Sequence, residues 1–143
     1  MKRKIERQFG ARLRDDEEIF LEWIIGNIGG HAIILRKNET KDFKTPDIIY
    51  NGKLFELKRT SGQISTLDYH LRYSAKQTRG GGTFVDITGS NYALSEAIST
   101  SLNRMRRSGL SEVYLIKNWE LLCHLTIKIT ANLAPMRGAP VNG

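Results

Sequence analysis

Three residues in the middle of the chain have the side-chain types and the spacing that phosphodiester hydrolysis requires. Asp47 follows a proline, and Glu56 and Lys58 come after it, separated from each other by one residue. Two neighbouring carboxylates can hold a divalent cation, which activates a water molecule and stabilises charge on the phosphate, and a nearby lysine can orient that water or neutralise charge. The sequence therefore predicts that Asp47 and Glu56 are metal ligands and that Lys58 completes a catalytic site.

The segment around these residues predicts a β-hairpin that brings them together. Asn51-Gly52 between two apolar runs is typical of a two-residue turn. This turn would pair Asp47 with Glu56 and put Lys58 on the same face, because side chains alternate along a strand. The apolar neighbours are expected on the opposite face: Ile48, Phe55 and Leu57. Cross-strand Cβ atoms are about 5 Å apart, so two carboxylates there repel each other unless a cation lies between them.

Length and composition predict one domain with a polyanionic partner. The chain has 143 residues, of which 40% are hydrophobic; this is enough for a single core and too short for two domains. Lysine and arginine number 22 against 15 aspartates and glutamates, so the net charge is +7 and the pI is about 9.7. This balance favours a polyanion such as nucleic acid without identifying it.

Neither a membrane protein nor a disulfide-bonded protein is indicated. No apolar run approaches the roughly 20 residues that span a bilayer, and the basic residues at the start are not followed by the apolar core of a signal peptide. The single cysteine, Cys123, excludes an internal disulfide and a cysteine-based zinc site. We therefore expect no membrane association and no export signal.

Apolar periodicity and turn residues predict an α/β fold with a mixed β-sheet flanked by helices. The first strong pattern is a helix over residues 15–28 that ends at Gly29-Gly30. The elements expected after it are a strand at 32–35, the hairpin, a helix at 65–78, a strand at 83–88, a helix at 91–107, and strands at 113–117 and 121–129. We assign residues 15–130 to one domain and 131–143 to a flexible tail. The basic N-terminal segment, 1–14, is expected to be a nucleic-acid-contacting arm or a solvated lead-in.

The helix after the hairpin carries a row of basic residues. Arg72, Lys76 and Arg79 are spaced by four and three residues, which places them on one helix face. This row is either a surface that grips phosphates or a solvated helix face, and both interpretations remain open.

The pattern Pro46-Asp47, an eight-residue gap, and then Glu56-Leu57-Lys58 resembles that of the PD-(D/E)xK nuclease superfamily. The predicted order αβββαβ over roughly residues 15 to 88 is the core of that superfamily, and the remainder is then a C-terminal α/β extension. More narrowly, four features are similar to the C-terminal nuclease toxin domains of bacterial contact-dependent growth inhibition (CdiA-type) proteins: the first helix with its Gly-Gly end, the hairpin TPDIIYNGKLFELK, the Lys76-Gln77 pair and the strand TFVDIT.

This resemblance implies a nuclease whose catalytic residues include Asp47, Glu56 and Lys58. It adds Lys76 and an acid from the first helix, which is Glu18 or, as the alternative, Glu22. Nucleic-acid contacts are then expected from four further residues: Arg59, Arg72, Gln77 and Arg79.

The resemblance also implies a substrate, a cofactor and a partner. The related domains include tRNases and DNases, and we expect RNA, in particular tRNA, ahead of DNA. Mg²⁺ is the expected metal, with Mn²⁺ or Zn²⁺ as alternatives. An acidic immunity protein is expected to cover the basic cleft. The toxin would act in the bacterial cytoplasm, and its delivery as the C-terminal part of a larger protein is expected by analogy only.

Two alternative functions remain open. The first is a metal-independent RNase of the barnase, EndoU, colicin and RelE-like (BECR) type, which needs a 2′-hydroxyl and would use His70, Lys76, Arg79 or Thr88 for acid–base chemistry. The second is a non-catalytic nucleic-acid-binding module in which the carboxylates are structural.

Overall fold

The computed structural model describes residues 4–38 and 44–127 of the chain. Within these ranges the backbone forms one mixed seven-stranded β-sheet and three α-helices, which confirms the expected α/β fold. The strands are β1 (Ile5–Arg7), β2 (Ala32–Ile34), β3 (Ile48–Tyr50), β4 (Lys53–Gly62), β5 (Gly82–Ser90), β6 (Glu112–Lys117) and β7 (Glu120–Thr126). The helices are α1 (Asp15–Asn27), α2 (Ile64–Thr78) and α3 (Leu94–Ser108).

The strands follow one another across the sheet in chain order. Strands β2, β3 and β4 are antiparallel neighbours, whereas β4, β5 and β6 run parallel, with α2 and α3 as the connections that parallel neighbours require. The order α1, β2, β3, β4, α2, β5 reproduces the expected αβββαβ succession, and α3, β6 and β7 extend it.

The hairpin between β3 and β4 has the predicted turn and register. Asn51 and Gly52 both have positive φ, at 49° and 85°, as a two-residue turn of the I′ type requires. The pairs are Tyr50 with Lys53, Ile49 with Leu54, and Ile48 with Phe55. This register brings Asp47 beside Glu56 where β3 begins.

The sheet is covered on both faces, and the two faces differ in what packs on them. On the α1 face, Phe20, Leu21 and Ile24 pack with a cluster that includes Ile34, Ile48, Phe55 and Leu57. On the α2 face, Leu67 and Leu71 pack with a second cluster that includes Val85, Ile87, Val113 and Leu115. Because Phe55 and Leu57 face α1, the alternating residues Glu56 and Lys58 face α2, as expected.

A bidentate ion pair joins the two helices that cover the α2 face. The guanidinium of Arg104 on α3 donates to both carboxylate oxygens of Asp68 on α2, each at 2.9 Å. This geometry restricts how α2 lies across β4 and β5.

The N-terminal strand β1 was not predicted. Ile5–Arg7 pairs in parallel with Ala32–Ile34, so part of the basic segment belongs to the sheet. A three-residue strand that contains Glu6 and Arg7 has no apolar alternation, and contacts with distant segments stabilise it: pairing with β2 and the ion pair between Arg7 and Glu18. The other elements begin and end within three residues of their expected limits; the end of the strand predicted at 121–129 and the tail 131–143 lie outside the described residues.

None of the helices in the described ranges is long and apolar enough to cross a membrane.

Candidate active site

Asp47, which directly precedes β3, lies beside Glu56 of β4, and both are buried, at 6% and 3% exposure. The backbone N–H of Asp47 donates to Oε2 of Glu56 at 3.0 Å, and the backbone N–H of Leu57 donates to Oδ2 of Asp47 at 2.8 Å. The two carboxylates thus continue the hydrogen bonding between the two strands beyond the last backbone pair, Ile48 with Phe55. Both carboxylates are therefore held in defined positions.

Each of these carboxylates has a lysine of its own. Nζ of Lys37 donates to Oδ1 of Asp47 at 2.8 Å and to the backbone oxygen of Thr45 at 3.1 Å. Nζ of Lys58 lies 3.4 Å from Oε1 of Glu56. The two buried carboxyl groups are therefore each accompanied by a lysine, of which Lys37 is exposed and Lys58 is partly buried. Lys37 was missed by sequence reasoning, because it lies in a polar segment that has no periodic pattern or motif.

Burial, followed by the charge of Asp47, raises the pKa of Glu56 to about 7, although Lys58 and Lys37 act in the opposite direction. Desolvation disfavours the charged form of a carboxyl group, and a like charge nearby adds to the effect. A carboxyl group with a pKa near 7 can exchange a proton at neutral pH, which suits acid–base chemistry and also favours a cation as neighbour.

The donor set available to a metal ion consists of these two carboxylates. No group of three or more His, Cys, Asp or Glu side chains that could hold a metal is found in residues 4–38 and 44–127. Mg²⁺ binds through one or two carboxylates and takes its remaining ligands from water and substrate phosphate. Oε1 of Glu56 has the weakest partner, at 3.4 Å, whereas Oδ1 of Asp47 is bound by Lys37. The two carboxylates fit Mg²⁺ provided that Lys37 gives up Oδ1.

Glu18, the acid expected from the first helix, lies elsewhere. Its carboxylate accepts two hydrogen bonds from the guanidinium of Arg7 on β1, at 3.0 and 3.2 Å. Helix α1 covers the face of the sheet opposite to Glu56, and no hydrogen bond or ion pair joins Glu18 to the three predicted catalytic residues within the described ranges. Glu22, the alternative, is exposed on the same helix.

The expected basic row lies at the surface of α2 and just beyond it. Arg72 and Lys76 are exposed on the helix, and the guanidinium of Arg72 lies 5.8 Å from the ring centre of Tyr69. Arg79 is the C-cap residue of α2, with a left-handed φ of 54°. Its side chain therefore does not continue the row that Arg72 and Lys76 form on the helix. Gln77 faces inward, and its amide oxygen is buried without a hydrogen-bond partner among the described residues.

Arg59 lies apart from the carboxylate pair. Its guanidinium is 3.8 Å from Asp16 of α1 and 3.8 Å from Asp86 of β5, which places it on the α1 face. Lys58 points the other way, with Nζ 5.3 Å from the ring centre of Tyr73 on α2.

The residues proposed for a metal-independent RNase are not assembled into one group. His70 on α2 is half-buried, and burial followed by the charge of Lys58 lowers its pKa. Thr88 donates to the carboxylate of Asp86 on the α1 face, whereas Lys76 is exposed on α2. The sheet therefore separates Thr88 from the other candidates.

Comparisons with known proteins support the fold. No family model matches the chain, and no curated protein matches it. Among solved structures, one chain of the CdiA-CT/CdiI toxin and immunity complex from Burkholderia pseudomallei is similar, with a TM-score of 0.56 and 12% sequence identity. The match covers 86% of this chain and 98% of that chain. The two chains share a fold. At this identity the likeness concerns the fold alone.

Proposed function

We propose that this chain is a nuclease toxin domain that hydrolyses phosphodiester bonds at Asp47, Glu56 and Lys58. The observation that carries the proposal is the pair of buried carboxylates on adjacent strands, each beside a lysine. A purely structural sheet gains little from two adjacent buried acids, because their desolvation and mutual repulsion cost free energy. The similarity in fold to one chain of a toxin and immunity complex adds support. The PD-(D/E)xK-like spacing of the three residues supports the proposal as well.

In the proposed site Asp47 and Glu56 hold one divalent ion, with Mg²⁺ preferred. When bound, such an ion activates water and stabilises charge on the phosphate. Lys58 is held between the carboxylate of Glu56 and the ring of Tyr73, and supplies fixed positive charge. Lys37 positions Asp47 through its hydrogen bond to Oδ1.

The substrate proposed first is RNA, in particular tRNA, and DNA is the alternative. The net charge of +7 suits a polyanionic substrate and equally suits an acidic immunity protein, since opposite potentials speed association. We place the toxin's action in the bacterial cytoplasm, after delivery as the C-terminal part of a larger protein.

Cleavage assays with purified protein test the proposed function. Total tRNA, ribosomal RNA and plasmid DNA are each incubated with Mg²⁺, Mn²⁺, Zn²⁺ or EDTA. We expect metal-dependent cleavage that falls at least about a hundredfold in Asp47→Ala, Glu56→Gln and Lys58→Ala, with double variants little worse than single ones because the residues act as a unit. Glu120→Gln, an exposed acid on β7, is the matched control and should cleave as wild type does.

Further outcomes separate the proposal from its rivals. Full activity in Glu56→Gln with an unchanged circular dichroism spectrum contradicts the site. Cleavage that survives EDTA and leaves a 2′,3′-cyclic phosphate favours the metal-independent RNase. Glu18→Gln and Lys76→Ala belong in the same assay, because a loss as large as that of Glu56→Gln would place either residue at the reaction centre.

A further inference from the structure

A cleft of about 290 Å³ lies next to the carboxylate pair, between the segments around Arg36 and Pro46 and the end of α2. Its size is close to the lower end of small-ligand pockets, roughly 300 Å³. One side is formed by Leu35, Arg36 and Asn38, and the other by Gln77 and Arg79. We call this the Gln77 cleft.

The Gln77 cleft adjoins the proposed reaction centre through two neighbours of the carboxylates. Pro46, in its wall, directly precedes Asp47, and Leu54 lies two residues before Glu56 on the same face of β4. Residues two apart on a strand are about 7 Å from each other, which is close to the spacing of successive phosphates along a nucleic-acid strand. A chain whose phosphate lies at Glu56 therefore brings its next nucleotide to the cleft.

Within the described part of the chain, the charged residues that line the Gln77 cleft are all cationic. They are Arg36 and Arg79, and Lys37 lines an adjoining hollow of about 430 Å³ that shares Arg36 and Asn38 with the cleft. Arginine binds phosphate through paired N–H donors. The backbone N–H of Arg36 donates to the side chain of Gln8 at 2.8 Å, which anchors this segment to the region after β1.

The remaining walls suit a nucleobase. Leu35, Pro46 and Leu54 supply apolar surface, while the side chains of Asn38 and Gln77 bring amides. The amide oxygen of Gln77 is buried and has no hydrogen-bond partner in the described part of the chain, and leaving such an atom unpaired costs free energy. A base edge that offers an N–H would satisfy it once the amide group turns towards the cleft.

We infer that the Gln77 cleft binds the nucleotide next to the scissile phosphate, with Arg36 and Arg79 on its phosphate and Gln77 on its base. The inference rests on the proposed function, since it takes Glu56 as the reaction centre. It assigns to this cleft the selection of the base at one position of the substrate.

Binding of mononucleotides, followed by NMR on the isotope-labelled full chain in EDTA, tests the inference without turnover. The probes are the 5′-monophosphates of adenosine, guanosine, cytidine and uridine, with inorganic phosphate alone as comparison. We expect mononucleotides to shift the signals of Gln77, Asn38 and Leu54, and phosphate to leave Gln77 unmoved. Arg36→Ala should weaken binding about tenfold or more. Arg106→Ala, an exposed arginine on α3, is the control of equal charge and should leave affinity unchanged.

A separate variant tests whether Gln77 recognises the base. Gln77→Leu keeps the size of the side chain and removes the amide, so the differences in affinity among the four mononucleotides should shrink. Shifts confined to another surface, no shift at millimolar nucleotide, or equal effects of Arg36→Ala and Arg106→Ala overturn the inference. These results are distinguishable from failure of the proposed function. If nucleotides bind at Gln77 but the protein cleaves nothing, the nucleotide site is supported and the nuclease is refuted. If cleavage depends on Glu56 but nucleotides bind elsewhere, the nuclease is supported and the nucleotide site is refuted.

Discussion

At the scale of single residues, the protonation of Glu56 depends on three neighbours. Burial and Asp47 favour its neutral form, and Lys58 and Lys37 favour its charged form. Because the pKa of about 7 lies above the ordinary value of 4.5, the folded protein binds more protons than the unfolded chain between these pH values. The carboxylate pair therefore makes stability dependent on pH.

We predict that the free energy of unfolding of the wild type falls as the pH rises from about 4.5 to about 7, by roughly 1 to 3 kcal/mol from this group. Glu56→Gln removes the contribution, so the variant gains stability relative to wild type across that window. Urea unfolding at a series of pH values measures the difference, and the exposed Glu120→Gln should run parallel to wild type. A constant gap between Glu56→Gln and wild type at every pH would contradict the raised pKa.

A second residue-scale prediction concerns divalent ions. A cation bound to Asp47 and Glu56 relieves their repulsion, and a ligand that binds only the folded state raises stability with the logarithm of its concentration. Millimolar Mg²⁺ or Mn²⁺ should raise the Tm of wild type by several degrees, and the increase should be larger at pH 8 than at pH 6. The increase in the Tm of Glu56→Gln should be smaller than that of wild type. Calorimetry checks this; equal responses of the two proteins would exclude Glu56 as a ligand.

Glu56→Gln is a better probe of the metal than Asp47→Asn. Both carboxylate oxygens of Asp47 accept hydrogen bonds, one from Lys37 and one from the backbone of Leu57. An asparagine would turn its NH₂ group towards one of these donors, and the loss of that hydrogen bond costs about 1 to 3 kcal/mol.

At the scale of elements, the close approach of β5 and the end of α2 to β4 determines where the Gln77 cleft and the carboxylates lie. A Cβ atom at Gly81 would collide with the backbone oxygen of Leu54, and one at Gly82 would collide with the ring of Phe55. Only glycine allows this contact without a shift of the backbone. The arrangement of Leu54 and Gln77 in the walls of one cleft depends on it.

We predict that Gly81→Ala lowers the free energy of unfolding by about 2 kcal/mol or more, because a backbone atom has to move. Gly26→Ala is the matched control: Gly26 lies in α1 with no atom within 4 Å of an added Cβ, so alanine should stabilise the helix by about 0.5 to 1 kcal/mol. Urea unfolding of both variants provides the comparison. A Gly81→Ala protein as stable as wild type would show that α2 and β4 are not locked together here.

At the scale of the whole molecule, an excess of positive charge and an exposed basic surface on α2 suit a nucleic-acid substrate. The net charge of +7 acts over the whole surface, whereas Arg72 and Lys76 concentrate charge on the helix that covers the proposed site. Each phosphate contact releases counterions and so adds to the salt dependence of binding.

The double variant Arg72→Ala with Lys76→Ala should therefore bind RNA more weakly and reduce the slope of log affinity against log salt by roughly 1 to 2, similarly for all sequences. Fluorescence anisotropy with a labelled oligonucleotide in EDTA measures the slope. Arg106→Ala with Arg107→Ala removes the same charge from exposed positions on α3 and is the control. If both pairs change the slope equally, the row on α2 is a solvated helix face.

Local sequence patterns determined much of the fold and the centre of the candidate site. Asn51-Gly52 sets the hairpin register, and period-two alternation then puts Glu56 and Lys58 on the face opposite to Leu57. Helical periodicity likewise located α1, α2 and α3. These patterns are readable because turn geometry and side-chain alternation act over a few residues.

Contacts between distant segments decided the rest. Lys37 reaches Asp47 because residues 35–38 lie beside residues 45–47, and Glu18 is held by Arg7 because an unpredicted strand pairs with β2. The raised pKa of Glu56 and the cationic Gln77 cleft depend on burial and on charges from several elements. Spacing in one chain cannot encode these properties directly, because desolvation and Coulomb interactions depend on distances that exist only after packing.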